Sequence, residues 1–198
     1  MSLTGLLGGT FNPPHNGHVE LARAAKEQFA FVELVVLVAV RPGHKRVELD
    51  ADTRVRLVRA AFPDDRVELD EHERTVDTLR AGHWDDPLFL IGADEFADFL
   101  TWKDPEGVLA QARLAVATRP GYPRGRLDRV LEQLSHPERV LFFEIDPLPI
   151  SSREIRDRVA REEDIGGLVP PAVARLIEEL GLYRGYTAAE DGEDLTPR

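Results

Sequence analysis

A chain of 198 residues, 42% hydrophobic and 31% charged, is long enough to bury a core and has the balance of a globular protein rather than a disordered or fibrous one. It contains no cysteine, which excludes a disulfide framework, a thiolate zinc site and a cysteine nucleophile. A formal charge of -11 argues against broad binding to nucleic acid or to anionic membrane, both of which reward a basic surface, so any phosphate bound must be met in a local pocket.

Met1-Ser2-Leu3-Thr4 carries no basic stretch ahead of an apolar run, and no apolar segment approaches bilayer-spanning length, so a cytoplasmic location is expected. Thr4 to Leu7 is an apolar run ending in Gly8-Gly9, and Val32 to Val40 is a longer β-branched one; both read as buried strands. Between them, Ala22, Ala25 and Phe29 recur at helical spacing over Val19 to Phe29. The alternation continues with a helix over Thr53 to Phe62, a brief strand over Val67 to Leu69, a helix over Thr75 to Ala81 and a strand over Leu88 to Ile91. Strands follow at Leu114 to Ala117, stopped by Arg119-Pro120-Gly121, and at Val140 to Ile145. Two helices close the pattern, Ser152 to Arg161 and Ala172 to Leu180, the second followed by Gly181 at the capping position. This order predicts an α/β fold of the Rossmann-like, doubly wound kind, a mainly parallel sheet with helices on both faces. One domain is expected over residues 1–184, with the terminal helices packed on it, and a flexible acidic tail over 185–198, unpatterned from Thr187 onward.

In such sheets ligands sit beyond the carboxyl ends of the strands, so the loops that follow strands are the places to search. Gly8-Gly9-Thr10-Phe11-Asn12-Pro13-Pro14-His15-Asn16-Gly17-His18 is the first of these. Its glycines let backbone N–H groups approach a phosphate chain, and the helix behind it presents its positive end. It is neither a Walker loop nor the Gly-x-Gly-x-x-Gly fingerprint. His15 and His18 close it. An isolated pair of this kind is ordinarily a cap and a packed surface residue, and without carboxylates nearby it does not complete a zinc site, so no protein metal site is expected.

The whole segment resembles the His-x-Gly-His signature of the nucleotidyltransferase superfamily, and more narrowly that of the bacterial nicotinate mononucleotide adenylyltransferases, with Asn12 where Asp is more usual. A second stretch, Ile150-Ser151-Ser152-Arg153-Glu154-Ile155-Arg156, opens a helix; alone it reads as a capped helix start, Ser151 and Glu154 having capping-box spacing. It is similar to the Ile-Ser-Ser-Thr-x-Ile-Arg signature of the same family, with Arg153 replacing Thr. His44-Lys45 resembles the family's Pro-Pro-His-Lys segment with Gly43 for one proline, Ile91-Gly92-Ala93-Asp94 its Gly-x-Asp, and Thr101-Trp102 and Arg119-Pro120-Gly121-Tyr122-Pro123 two further segments. Where the family shows Ser-Tyr-Thr, this chain has Glu73-Arg74-Thr75. The likeness runs from about Leu6 to Arg184.

The resemblance implies transfer of AMP from ATP to nicotinate mononucleotide, with release of pyrophosphate. It implies His15, His18, Lys45 and Arg156 as the charge-stabilising groups. ATP would be held by Gly8, Gly9, Thr10, Phe11, Gly17, His44, Gly92, Asp94, Ile150, Ser151 and Ser152. The mononucleotide would be held by Thr75, Trp102, Lys103 and Arg119, with the indole on the pyridine ring and Arg119 on the phosphate. Mg2+ is expected with the ATP. Because the second pKa of a phosphate monoester is about 6, the acceptor is already largely dianionic and needs no general base. The task is positioning and electrostatic stabilisation of direct in-line attack. The altered Glu73-Arg74 leaves nicotinamide mononucleotide as an alternative acceptor; phosphopantetheine, or nucleotide sensing without turnover, are further alternatives. A homo-oligomer is allowed by the sequence but nothing in it specifies one.

Overall fold

The computed structural model describes residues 3–42, 47–146 and 148–187. His44 and Lys45, both expected at the triphosphate, lie outside the described residues, as does the tail from 188 onward. Six parallel strands form one sheet in the order β3-β2-β1-β4-β5-β6: β1 Thr4–Gly9, β2 Glu33–Ala39, β3 Arg66–Asp70, β4 Leu88–Gly92, β5 Arg113–Thr118 and β6 Val140–Glu144. Sequence order reverses between β1 and β4, and it is there, beyond the carboxyl ends, that an open parallel sheet leaves a crevice.

Side chains alternate across the sheet because the strand period is two. Leu34, Val36 and Val38 of β2 therefore face one core, and Val35 and Leu37 the other. The first core is closed by α1 (Asn16–Phe29), α2 (Ala51–Ala61), α7 (Ser152–Ala160) and α8 (Pro171–Glu179), through Ala22, Ala25, Val58, Ile155, Val173 and Ile177. The second is closed by α3 (Thr75–Ala81), α4 (Ala93–Ala97), α5 (Pro105–Gln111) and α6 (Arg124–Leu131), through Leu79, Phe96, Leu109 and Leu127. The doubly wound expectation holds. Three helices, α4 to α6, were not legible in the sequence; at 5, 7 and 8 residues each buries only two, too few to mark a period, whereas α3, of 7 residues, buries Val76, Thr78 and Leu79. Among the described residues no helix is long and apolar enough to cross a membrane.

Boundaries shift at the ends that matter. β1 continues through Gly8 and Gly9, and α1 starts at Asn16, three residues before the first apolar position, which makes His15 its N-cap. At the other terminus, Tyr186 lies inside the stretch read as tail, yet it is only 8% exposed.

Candidate active site

Gly9 leads the chain out of β1 into a turn that Phe11 makes in the left-handed region, φ 52°, with its ring buried beneath the loop. A Cβ on Gly9 would stand 2.7 Å from that ring, so the glycine is there to let the aromatic ring close under the turn. The other face of Phe11 meets His18 edge-on, ring centroids 5.0 Å apart. His15 and His18 lie 3.7 Å apart, centroid to centroid, at the amino end of α1. The His15 backbone N–H donates to His18 Nδ1 at 3.1 Å. An accepting Nδ1 carries no proton, so His18 is held in the Nε2–H tautomer and offers that N–H as a donor.

Burial depresses both imidazoles. His15 is lowered from 6.5 to about 4, and its Nδ1 is buried with no hydrogen-bond partner. His18 is pushed well below its ordinary value by desolvation and then by the charge His15 would carry. At neutral pH the pair is uncharged. The two rings are therefore fixed N–H donors beside a helix N-terminus, not fixed cations.

The second signature meets the first. Ser151 caps α7 by accepting from the Glu154 N–H at 3.1 Å, as the spacing predicted. Glu154 itself turns to Arg158 rather than completing a capping box. Ser152 Oγ donates to the Pro13 carbonyl at 2.8 Å, and Arg156 Nη1 donates to the Asn12 carbonyl at 2.7 Å. Arg156 is 6% exposed and lies behind the loop, its guanidinium 4.7 Å over the Tyr186 ring. Ile155 and Arg156 form the buried side of α7, where the Asn12 carbonyl and the Tyr186 ring face the guanidinium. Arg156 braces the loop.

Across the switch point, Gly92 ends β4 and its N–H donates to Glu95 at 3.0 Å. Asp94 is exposed in the first turn of α4 and accepts from the Tyr122 hydroxyl at 2.7 Å, which ties it to the loop after β5. Arg119, exposed, lies 5.7 Å from the Tyr122 ring, and Lys103 and Thr75 are exposed and half-buried. Trp102 is 7% exposed and lies edge-on to Phe99 at 5.3 Å within the second core.

One site residue escaped the sequence reading altogether. Arg54 on α2 is 1% exposed, and its guanidinium donates to the carbonyls of Thr10 at 2.9 Å, Ala39 at 2.7 Å, Leu49 at 3.3 Å and Val40 at 3.4 Å. It joins the first loop to the end of β2. The signal that could have found it is an arginine at a position where helical spacing calls for an apolar residue, beside Val55, Leu57 and Val58. An open groove of about 690 Å3 between α2 and the β3 edge touches none of the signature residues.

A model of the cytidylyltransferase-like family matches residues 6–158. A protein of Bordetella petrii named "Probable nicotinate-nucleotide adenylyltransferase" is 35% identical over 198 residues, 93% of this chain and 100% of that one. One of the same name from Thermus thermophilus is 38% identical over 192 residues, 91% and 98% of the two chains. The chain belongs to the nicotinate-nucleotide adenylyltransferase family. It is thus a nucleotidyltransferase. The fold agrees with that of the Plasmodium falciparum nicotinic acid mononucleotide adenylyltransferase complexed with NaAD, at a TM-score of 0.73 and 18% identity, over 93% of this chain and 98% of that one. Nucleotidyltransferases generally use a divalent metal. No cluster of three or more His, Cys, Asp or Glu that could hold a metal ion occurs among the described residues.

Proposed function

We propose that this chain transfers the AMP moiety of ATP, carried with Mg2+, to nicotinate mononucleotide, forming nicotinate adenine dinucleotide and pyrophosphate. The observation that carries the reading is the junction of the two signatures: Ser152 and Arg156 hold the carbonyls of Pro13 and Asn12 over the carboxyl end of β1, beside the strand-order reversal. The reacting phosphorus belongs over the amino end of α1. There the N–H groups of the Gly8 to Phe11 loop and the Nε2–H of His18 meet charge that develops on the phosphate oxygens, with His15 beside it. Neutral donors suit this role because they need not be desolvated as ions and do not bind the ground state as strongly as fixed charges would. His44 and Lys45 are proposed on the triphosphate, and Ser151, Ser152 and Ile150 alongside it. Gly92 and Asp94 would receive the ribose, and Lys103, Arg119 and Thr75 the mononucleotide. Mg2+ carried in with ATP would offset the charge of the phosphates. The acceptor's own dianionic phosphate attacks the α-phosphorus in line, and the α–β bridging oxygen leaves with pyrophosphate; no enzyme group is covalently modified.

Pyrophosphate release is measured with ATP and Mg2+ plus nicotinate mononucleotide, nicotinamide mononucleotide, phosphopantetheine or no acceptor. Release that depends on nicotinate mononucleotide is expected. Preference for phosphopantetheine, or release without acceptor, would overturn the assignment, and equal rates with the two pyridine nucleotides would make the enzyme dual in specificity. Trapping of an adenylylated residue in a single turnover would exclude direct transfer.

A further inference from the structure

We propose that Asn12 is a positioning residue of this site, and that this chain requires its amide, not a carboxylate, because the side chain bridges Glu48 and Tyr183. The inference rests on the reading of the β1 loop as the triphosphate cradle. Asn12 is 5% exposed in the middle of that loop, and the chemistry above makes no use of its side chain. Its Nδ2 donates to Glu48 Oε2 at 2.8 Å, and its Oδ1 accepts from the Tyr183 hydroxyl at 2.9 Å. Its carbonyl accepts from Arg156. The segment before α2, the turn after α8 and the helix α7 thus converge on one residue.

The donor pattern leaves little choice of side chain. A carboxylate such as Glu48 only accepts. The Tyr183 phenol is raised well above its ordinary value, first by burial, so it stays protonated and donates. Asn12 therefore faces an acceptor on one side and a donor on the other, which also fixes which end of its amide is oxygen. A carboxylate at this position would satisfy Tyr183 and confront Glu48 with like charge; an apolar side chain would leave both partners unpaired. Only an amide matches both. The consequence is that the backbone between Gly9 and His15, and with it the placement of both imidazoles, depends on Glu48, which stands outside either signature.

The test is a reciprocal exchange in the full chain, read as kcat and KM with Mg-ATP and nicotinate mononucleotide. Asn12→Asp is expected to lower kcat roughly 10- to 100-fold while the mononucleotide KM stays within about two-fold, since the loop aligns the reacting phosphorus and not the acceptor. Glu48→Gln alone is expected to stay within about three-fold, because the new amide oxygen still accepts. Asn12→Asp combined with Glu48→Gln exchanges donor and acceptor and is expected to recover kcat to within about three-fold of the parent. A role confined to stability would not produce that recovery. Should Asn12→Asp fail to fold, Glu48→Ala, at an exposed position outside helix and strand, is expected to lower kcat about tenfold with the melting temperature little changed. Native kcat in Asn12→Asp or Glu48→Ala, or a double variant no better than Asn12→Asp, overturns the inference while the activity itself stands. A parent chain inactive with every acceptor overturns both.

Discussion

Replacing Arg54 with methionine keeps the length of the stem and removes every donor. Two of its bonds, to Ala39 at 2.7 Å and Thr10 at 2.9 Å, are short and charge-assisted, and two more, at 3.3 and 3.4 Å, are weak. Bonds of the first kind contribute about 1.5–3 kcal/mol each, so the gross loss is about 3–6 kcal/mol. Removing a buried charge also removes its desolvation cost, which brings the expected net loss to about 3 kcal/mol. For a chain of this size each kcal/mol moves the melting temperature about 2–4 °C, so Arg54→Met is expected to melt roughly 6–12 °C lower. Arg54→Lys, a point charge unable to fork across four carbonyls, is expected to lose about half as much. The assay is thermal unfolding followed by circular dichroism, with pyrophosphate release measured well below the transition. There kcat is expected to fall in both variants, because the carbonyl of Thr10 loses its anchor. A methionine variant that melts within about 2 °C of the parent, or a lysine variant indistinguishable from arginine, would refute the assignment of this guanidinium as the tie between the loop and β2.

His18→Ala removes a donor present where charge develops, and kcat is expected to fall roughly 100- to 1,000-fold at saturating ATP; near-native turnover would remove His18 from the chemistry. Because His15 is lowered from 6.5 to about 4, the unfolded chain binds the extra proton first as pH falls, so this group's contribution is complete above 6.5 and lost on descent toward 4. The loss is about 2 kcal/mol at pH 5, and urea unfolding at pH 7.5 and 5 is expected to show that much less pH dependence in His15→Gln; an unchanged dependence would deny the burial. Trp102→Ala empties part of the second core and is expected to cost about 3–5 kcal/mol in unfolding free energy; a variant of native stability whose mononucleotide KM alone rises would return the indole to the ligand.

The architecture was legible because the long strands and helices carry their periods locally: alternating cores along β2, and Ala22 and Ala25 on one side of α1, are properties of short windows. The same holds for His15, His18 and the Ser151 cap, whose spacing within a few residues places them wherever the helix begins. The short helices between β4 and β6 were invisible, since with two buried residues each in so short a run they leave no pattern to read.

Residue order by itself determined that a glycine turn follows a buried strand, that two imidazoles stand at a helix start, and that a serine opens a late helix. Only the tertiary structure decided that these parts touch. β6 lies three strands from β1, and α7 must return to the α1 face before Ser152 and Arg156 can reach Pro13 and Asn12. The same closure turned Arg156 and Trp102 inward and buried Arg54. Burial and partner choice depend on which elements pack together, and no window of sequence contains that information.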